Sequence, residues 1–412
     1  MENSLRIALL TYRGNPHSGG QGIYVRYLSR ALVELGHSVE VFSGQPYPDL
    51  DPSVRLTKVP SLDLYRADDP FRRPALSEFR DWIDVLEYAA MCTAAFPEPL
   101  TFSLRAARLL RDRVNDFDVV HDNQCLGYGI LDIAKRIPTL ATSHHPIAID
   151  HRLDRQNVSL LRRVTLARWY AFTRMQRRVA PRLARVITAS GTGMRDAHSE
   201  LGIDPRKMTV VHNGVDTELF RPLETIERIP GRIITTTSAD VPLKGLVYLI
   251  EALAKLRTER DAHLVVIGTP RPGGRVLAAI KRFDVGDNVT FESKVDSLRL
   301  AELYATSEVA VVPSLYEGFS LPAAEAMSAG VPVVATTGGA LPEVVGTDGT
   351  SGLLVPPRDV GALATAIGEL LADPLKRETM GIAGRKRVLD MFTWTKTAER
   401  TADVYREVIA AC

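Results

Sequence analysis

The sequence predicts an α/β fold of two parallel-sheet domains facing a cleft, and three observations carry that prediction. Short apolar runs alternate with segments of helical apolar spacing along most of the chain, the pattern of parallel strands covered on both faces. The rhythm stops once, between Asn213 and Gly231, where Pro222, Pro230 and Gly231 bracket a charged, aperiodic connection, and then restarts. The length of 412 residues is about two to three times that of an ordinary domain. The expected division is an N-terminal domain over 1–216, a linker over 217–231, a C-terminal domain over 232–390, and a final segment over 391–412 carrying a helix near Thr395–Ala410.

In the first half, Ile7-Ala8-Leu9-Leu10 reads as a strand buried on both faces. A loop with Ser18-Gly19-Gly20-Gln21-Gly22 follows. Ile23, Tyr27, Leu28, Ala31, Leu32 and Leu35 then recur at helical spacing until Gly36 stops the helix. Val39–Phe42, Asp118–His121, Thr139–Ser143, Val186–Ala189 and Met208–His212 read as further strands. Pro60–Pro99, where prolines punctuate aromatic and charged residues, reads as an insertion of short helices and loops. In the second half the strands are Arg232–Thr237, His263–Ile267, Asn288–Phe291, Val309–Val312 and Val331–Ala335. Ligands of open parallel sheets bind at the carboxyl ends of strands, so two facing sheets would hold a ligand between them.

Composition removes several function classes. Lys+Arg number 51 against Asp+Glu 49, a near balance that argues against a dedicated nucleic-acid binder. No apolar run reaches the roughly 18 residues that span a bilayer, and the apolar part of the N-terminus is too short for a signal peptide. Cys92, Cys125 and Cys412 offer neither a disulfide framework nor a CxxC metal site, which points to the cytoplasm. Gly20-x-Gly22 has Val25 where a dinucleotide fingerprint needs its third glycine, and no G-x-S-x-G elbow of a hydrolase occurs.

The most informative stretch is VVPSLYEGFSLPAAEAMSAGVPVV, Val311 to Val334. A buried strand ends near Pro313, a loop carries Glu317-Gly318-Phe319-Ser320, and Pro322 suits the first turn of a helix. Glycine permits close backbone approach, and free amides at a helix start favour an anion. Glu317 in the loop and Glu325 in the helix are carboxylates suited to accept hydrogen bonds from sugar hydroxyls. Two solvated glutamates beside a tight turn would be the bland alternative, and the embedded GFSLP followed by a buried strand argues against it.

This segment resembles the E-x7-E signature of the retaining nucleotide-sugar glycosyltransferases of family 4, which have the GT-B fold. Gly19-Gly20, Gly36-His37-Ser38-Val39, Asn213-Gly214-Val215-Asp216, Lys244-Gly245 and Gly338-Gly339 support it by their order and spacing. The resemblance implies two Rossmann-like domains, the first for the acceptor and the second for the donor, with the last helix packed back on the first. It implies that Glu325 binds the ribose hydroxyls and Glu317 faces the transferred sugar, with the segment Gly318, Phe319, Ser320 and Leu321 beside sugar and phosphate. Lys244 is similar to the lysine of the diphosphate clamp. Gly19 and Gly20 match the glycine loop near the phosphates, and Asn213 is counted with the donor-binding residues. His144 matches a histidine that contacts the donor sugar, with His145 the alternative.

The implied reaction moves a sugar from a nucleoside diphosphate donor, a UDP-sugar first among them, with retention through a front-face mechanism. It needs no metal ion and no separate cofactor. The acceptor is a glycan, a lipid-linked or a small molecule. Two rivals are a GT-B phosphorylase and a non-catalytic nucleotide-sugar-binding regulator. There is one departure: an arginine is expected five residues before the clamp lysine, and Ala239, followed by Asp240, stands there. Arg271 and Arg275, in the next strand-end loop, are the candidate replacements. Asp49-Leu50-Asp51 and Asp116-Phe117-Asp118 are formally D-x-D, but neither follows a strand end, and both read as structural rather than as metal ligands.

Residues 151–187 hold ten arginines and one acid, Asp154. Leu160, Val164, Ala167, Ala171, Met175 and Val179 recur there at helical spacing, and Arg168 and Arg178 fall beside that stripe. The preferred reading is a long core helix with a solvated, arginine-rich face. The sharper alternative is a patch for an anionic acceptor, or a peripheral contact with the inner face of a membrane.

Overall fold

The computed structural model describes residues 4–15, 20–66, 68–147, 159–223, 225–237 and 239–412. Gly19, and residues 151–158 of the basic segment, lie outside the described residues. The chain divides into two compact units, Met1–Val211 with Trp394–Cys412, and His212–Thr393.

Unit 1 begins with β1 (Arg6–Thr11), α1 (Gly20–Glu34), β2 (Ser38–Ser43), β3 (Arg55–Lys58), α2 (Trp82–Cys92) and α3 (Glu98–Arg111). It continues with β4 (Val119–Asn123), α4 (Tyr128–Ala134), β5 (Thr139–Ser143), α5 (Leu160–Trp169), α6 (Phe172–Val179), β6 (Arg185–Thr188), α7 (Gly191–Leu201) and β7 (Met208–Val210). Unit 2 holds β8 (Arg232–Thr236), α8 (Leu246–Leu256), β9 (His263–Ile267), α9 (Arg275–Phe283), β10 (Val289–Glu292), α10 (Ser297–Ala305) and β11 (Val309–Val312). Then come α11 (Leu321–Ser328), β12 (Val333–Thr336), α12 (Leu341–Val345), β13 (Leu353–Val355), α13 (Val360–Ala372) and α14 (Pro374–Met391), before α15 (Trp394–Ala410) returns to unit 1.

The first sheet has strand order β3-β2-β1-β4-β5-β6-β7 and the second β10-β9-β8-β11-β12-β13, with all neighbouring strands parallel. Strand alternation sorts the apolar run of β1 onto two faces. Ile7 and Leu9 join a core with Leu28 and Leu32 of α1 and Tyr405 and Val408 of α15. Ala8 and Leu10 face Phe102 and Ala106 of α3 and Ile130 of α4. Burying both faces is why interior strands read as continuous apolar runs.

Two elements depart from the expectation. β3 and β13, the outermost strands at one end of each sheet, have no counterpart in the predicted set. β3 reads RLTK with no buried residue, and β13 is three residues long. The single helix expected over 160–181 is two, because at Tyr170 ψ opens to 10° and ends α5. The predicted apolar stripe is buried only in its second half: α6 buries Met175 and Val179, whereas Val164 of α5 is 55% exposed and Ala167 half-buried.

Candidate active site

The second unit's site is assembled by loops that leave the carboxyl ends of adjacent strands. The wholly buried VAVV of β11 delivers the chain to Pro313, and the following loop is gripped from both sides. On one side Leu315 N donates to Leu243 O at 2.7 Å. There Gly245, at φ +67°, comes so close that a Cβ would lie 2.0 Å from Pro313 O. On the other side Ala340 N donates to Glu317 O at 2.8 Å, and Gly339, at φ +65°, leaves no room for a Cβ, which would sit 2.2 Å from the same oxygen. Both positions thus require glycine for conformation and for space.

This grip brings Lys244 Nζ to 2.8 Å from Glu317 Oε1, and Ser314 Oγ donates to that same oxygen at 2.7 Å. With side-chain exposures of 31% and 11%, the pair places a cation and a carboxylate at a strand end, sheltered but reachable. Ser320 has φ +92°, a strained value for a residue with a side chain, and its Oγ accepts from Ala323 N at 3.4 Å, capping α11. Phe319 is buried, its ring 5.5 Å from Phe392 and 6.2 Å from His212, which anchors the Gly318–Leu321 backbone beside Glu317.

Glu325 lies on α11, with Tyr304 Oη of α10 3.5 Å from its Oε2 and Thr236 Oγ1 of β8 3.0 Å from that hydroxyl. Burial pushes the Glu325 carboxyl up to about 7, against the lowering by Tyr304. Among the described residues, Asn213 Oδ1, Thr235 Oγ1 and Thr237 Oγ1 are buried without a hydrogen-bond partner, an arrangement that native chains seldom leave unexplained. Ser314, Thr236 and Tyr304 were missed by sequence reasoning. Ser314 had a signal, its place three residues before Glu317, whereas nothing local marks the other two.

The raised carboxyl of Glu325 has a consequence for stability. Its ordinary value is 4.5, so between there and about 7 the folded chain holds the proton more tightly than the unfolded chain. Stability from this group is present below that window and falls as pH rises through it. Glu325→Gln is therefore expected to raise Tm at pH 8, by the equivalent of about 1–3 kcal/mol, and to change it little at pH 4. Thermal melts at the two pH values check this; an unchanged Tm at pH 8 would show that the carboxylate is not desolvated.

At the departure from the family pattern, Ala239 is buried in the core of unit 2. Asp240 accepts hydrogen bonds from the backbone of Arg271, at 2.5 Å, and Val276, at 3.3 Å. An aspartate thus occupies backbone amides around the start of α9; the loop it holds carries Arg271, whereas Arg275, expected in that loop, is the first residue of α9, and both are exposed.

In unit 1, His144 follows β5. Its Nε2 donates to Asn123 Oδ1 at 2.7 Å, its backbone N donates to Gln124 Oε1 at 2.7 Å, and its ring meets Tyr24 edge-on at 4.5 Å. Burial holds the imidazole down at about 4, so it is a neutral hydrogen-bonding group at pH 7 and not an acid. Behind it, His121 bonds Tyr405 Oη at 2.7 Å and Thr142 Oγ1 at 2.6 Å. The returning α15 therefore braces the strand ends beneath His144. His145 sits on the same turn, its carbonyl accepting from Gln124 Nε2 at 2.6 Å. Gly20 opens α1.

The two D-x-D runs are tied down. Asp49 pairs with Arg26 at 3.3 Å, Asp51 accepts from Ser53 Oγ at 2.6 Å, Asp116 pairs with Arg113 at 2.7 Å and Asp118 with Arg6 at 2.6 Å.

Comparison with known proteins completes the picture. A family model described as "Glycosyltransferase Family 4" matches residues 18–219, and one described as "Glycosyl transferases group 1" matches 231–373. An "MMP alpha-(1->4)-mannosyltransferase" of Mycolicibacterium hassiacum is 51% identical over 408 residues, 98% of this chain and 99% of that protein. Among solved structures, sucrose-phosphate synthase from Thermosynechococcus elongatus superposes with a TM-score of 0.73 at 24% identity, covering 99% of this chain and 100% of that one. Anabaena Alr3699/HepE in complex with UDP-glucose gives 0.69 at 17% identity, covering 98% and 100%. The chain therefore belongs to glycosyltransferase family 4: it is a hexosyltransferase built on the GT-B fold.

Proposed function

We propose that this protein transfers a mannosyl residue from a nucleoside diphosphate sugar to a glycan hydroxyl, forming an α-(1→4) linkage with retention and without a metal ion. The observation that carries the proposal is the 51% identity, along nearly the whole of both chains, with a protein named an α-(1→4)-mannosyltransferase. An α product from an α-configured nucleotide sugar is retention. A neighbour of the same fold was solved with UDP-glucose, which supports a nucleoside diphosphate donor.

The side chains of unit 2 suit that chemistry. Glu325, once ionised, accepts from the ribose hydroxyls. Asn213 Oδ1 and the amides of the Gly318–Leu321 segment serve the sugar and phosphate. As the bond from the sugar's C1 to the phosphate oxygen breaks, charge grows on the diphosphate, and Lys244 stabilises it. The acceptor oxygen bonds to C1 on the same face, and its proton passes to the departing phosphate oxygen. His144, neutral, is proposed to hydrogen-bond the sugar.

A panel of UDP-, GDP- and ADP-linked mannose and glucose, read first by thermal shift and then by NMR of the product, tests the proposal. Donor at 100 times its Kd should stabilise by about 2.7 kcal/mol. Turnover in EDTA should equal that in Mg²⁺; a tenfold loss on chelation would overturn the metal-free reading. A β-linked product would overturn retention.

The arginine-rich α5 keeps a second reading alive, because Leu161 and Val164 are exposed beside Arg162 and Arg163. That surface suits an anionic acceptor or a peripheral membrane contact. No described helix is long and apolar enough to cross a membrane.

A further inference from the structure

Tyr65, Phe71, Phe96 and Trp169 come from three separate stretches of unit 1 and meet in one aromatic cluster. Tyr65 lies 5.5 Å from Phe71, 5.2 Å from Phe96 and 5.5 Å from Trp169, and Phe96 lies 5.2 Å from Trp169. Three of the rings are partly buried, and Phe71 is 58% exposed. Phe71 also has φ +64°, a strained backbone for a bulky residue, and it presents its ring outward at that cost.

We propose that these four residues form a stacking platform for the sugar rings of an oligosaccharide acceptor. The inference rests on the proposed glycan-directed transfer and deepens it by placing the acceptor chain.

Two sets of bonds tie the platform to the strand ends of unit 1. Tyr65 follows β3 and Trp169 follows β5, so both stand in connections that leave carboxyl ends of strands, where parallel sheets bind ligands. Just past the end of β1, Arg13 donates to Tyr65 O at 3.3 Å. Gln176, seven residues beyond Trp169, donates to the carbonyls of Gln124 and Cys125 at 3.4 and 3.2 Å. The Gln124 side chain in turn accepts from the backbone of His144. The helix pair that carries Trp169 and the turn that carries His144 are thus bonded to one another.

The chemistry favours a neutral glycan. A pyranose ring presents a face of C–H groups that packs on an aromatic ring while its hydroxyls stay in water at the edges. The rings are held edge to face, at 82° and 89° for two of the pairs, which fixes their orientation as a stereospecific ligand requires. Further bonds hold the frame: Tyr65 Oη donates to Ala95 O at 3.1 Å and Arg168 Nε to Thr93 O at 2.5 Å.

The test titrates α-(1→4)-linked mannotetraose, and maltotetraose as its glucan counterpart, calorimetrically into the wild-type chain, Phe71→Ala and Trp169→Leu. Tm and donor-induced thermal shift confirm that each variant is folded; Phe71→Ala, altering an exposed ring, guards against loss of fold at Trp169. Kd for at least one tetraose is expected to rise about tenfold in each variant, the equivalent of about 1.4 kcal/mol, with donor binding unchanged. Absence of tetraose binding to the wild type, or a Kd in both variants unchanged from that of the wild type, would overturn the platform. So would co-sedimentation with anionic phosphatidylglycerol vesicles that both variants lose while tetraose binding persists, since the surface would then serve a lipid. Failure of the mannosyl-transfer proposal looks different: tetraose binds, yet no donor in the panel yields product.

Discussion

Lys244→Ala is expected to lower kcat by about 10²–10³ or more, the largest effect of any single change in this protein. Lys244 is held 2.8 Å from Glu317 by a turn that Gly245 and the Leu315–Leu243 bond lock against the β11 loop. A cation fixed in that way needs no reorganisation when charge develops on a leaving diphosphate, so it stabilises the transition state more than the ground state. The expected position of a second cation is taken by Ala239, which is buried in the core, and Asp240 engages the α9 amides instead. In the proposed mechanism Lys244 therefore carries more of the charge than one member of a pair would. Arg271→Ala and Arg275→Ala are expected to be mild unless one of them has taken the missing role. Steady-state kinetics decide between these outcomes. Lys244→Ala within tenfold of wild type, with donor binding intact, would place the clamp elsewhere, and residual activity that vanished on adding Arg271→Ala or Arg275→Ala would locate it.

Glu317→Gln is expected to lower kcat by about 10² without raising the KM for the donor. The carboxylate has two relationships in the free protein, the ion pair with Lys244 and the hydrogen bond from Ser314. In the proposed mechanism, making it neutral removes its help to the positive charge that develops on the sugar. It also releases Lys244 from a competing anion, so the diphosphate binds no more weakly than before. A variant that lost only ground-state binding would show the opposite split, a raised KM with kcat preserved. That pattern would assign Glu317 to substrate holding and leave the charge-stabilising role to another group. Glu325→Gln provides the contrast: the ribose contacts proposed for it would change little during reaction, so its main kinetic effect should be on KM.

The parts of this protein that were legible in the sequence are those whose signal is local. Interior strands such as β1 and β11 read as apolar runs because both faces of the sheet are covered. Arg55–Lys58 holds one apolar residue, Leu56, and Leu353–Val355 is three residues long, so neither makes an apolar run long enough to read as a strand. The helix over 160–181 was misread as one because periodicity does not register a turn that keeps the same spacing; the break at Tyr170 brings no proline or glycine with it. Pro322 in the first turn of α11 and the eight-residue step from Glu317 to Glu325 lie within one strand-loop-helix unit, so that unit could be read without the rest of the fold.

The sequence by itself determined the fold class and the family, through strands and helices in alternation and motifs each contained in a few consecutive residues. It also marked the anomaly at Ala239. Only the tertiary structure decided what those residues touch. Lys244 and Glu317 are 73 positions apart, and Asp240 and Arg271 are 31 apart. They meet because β9, β8, β11 and β12 are neighbours in the sheet, and the loops leaving their carboxyl ends converge. Strand order is set by how the two faces of the sheet are buried, which depends on every helix at once. A pairing between strand-end loops, and the proton that burial keeps on Glu325, therefore follow from the packing of the whole unit and from no local pattern.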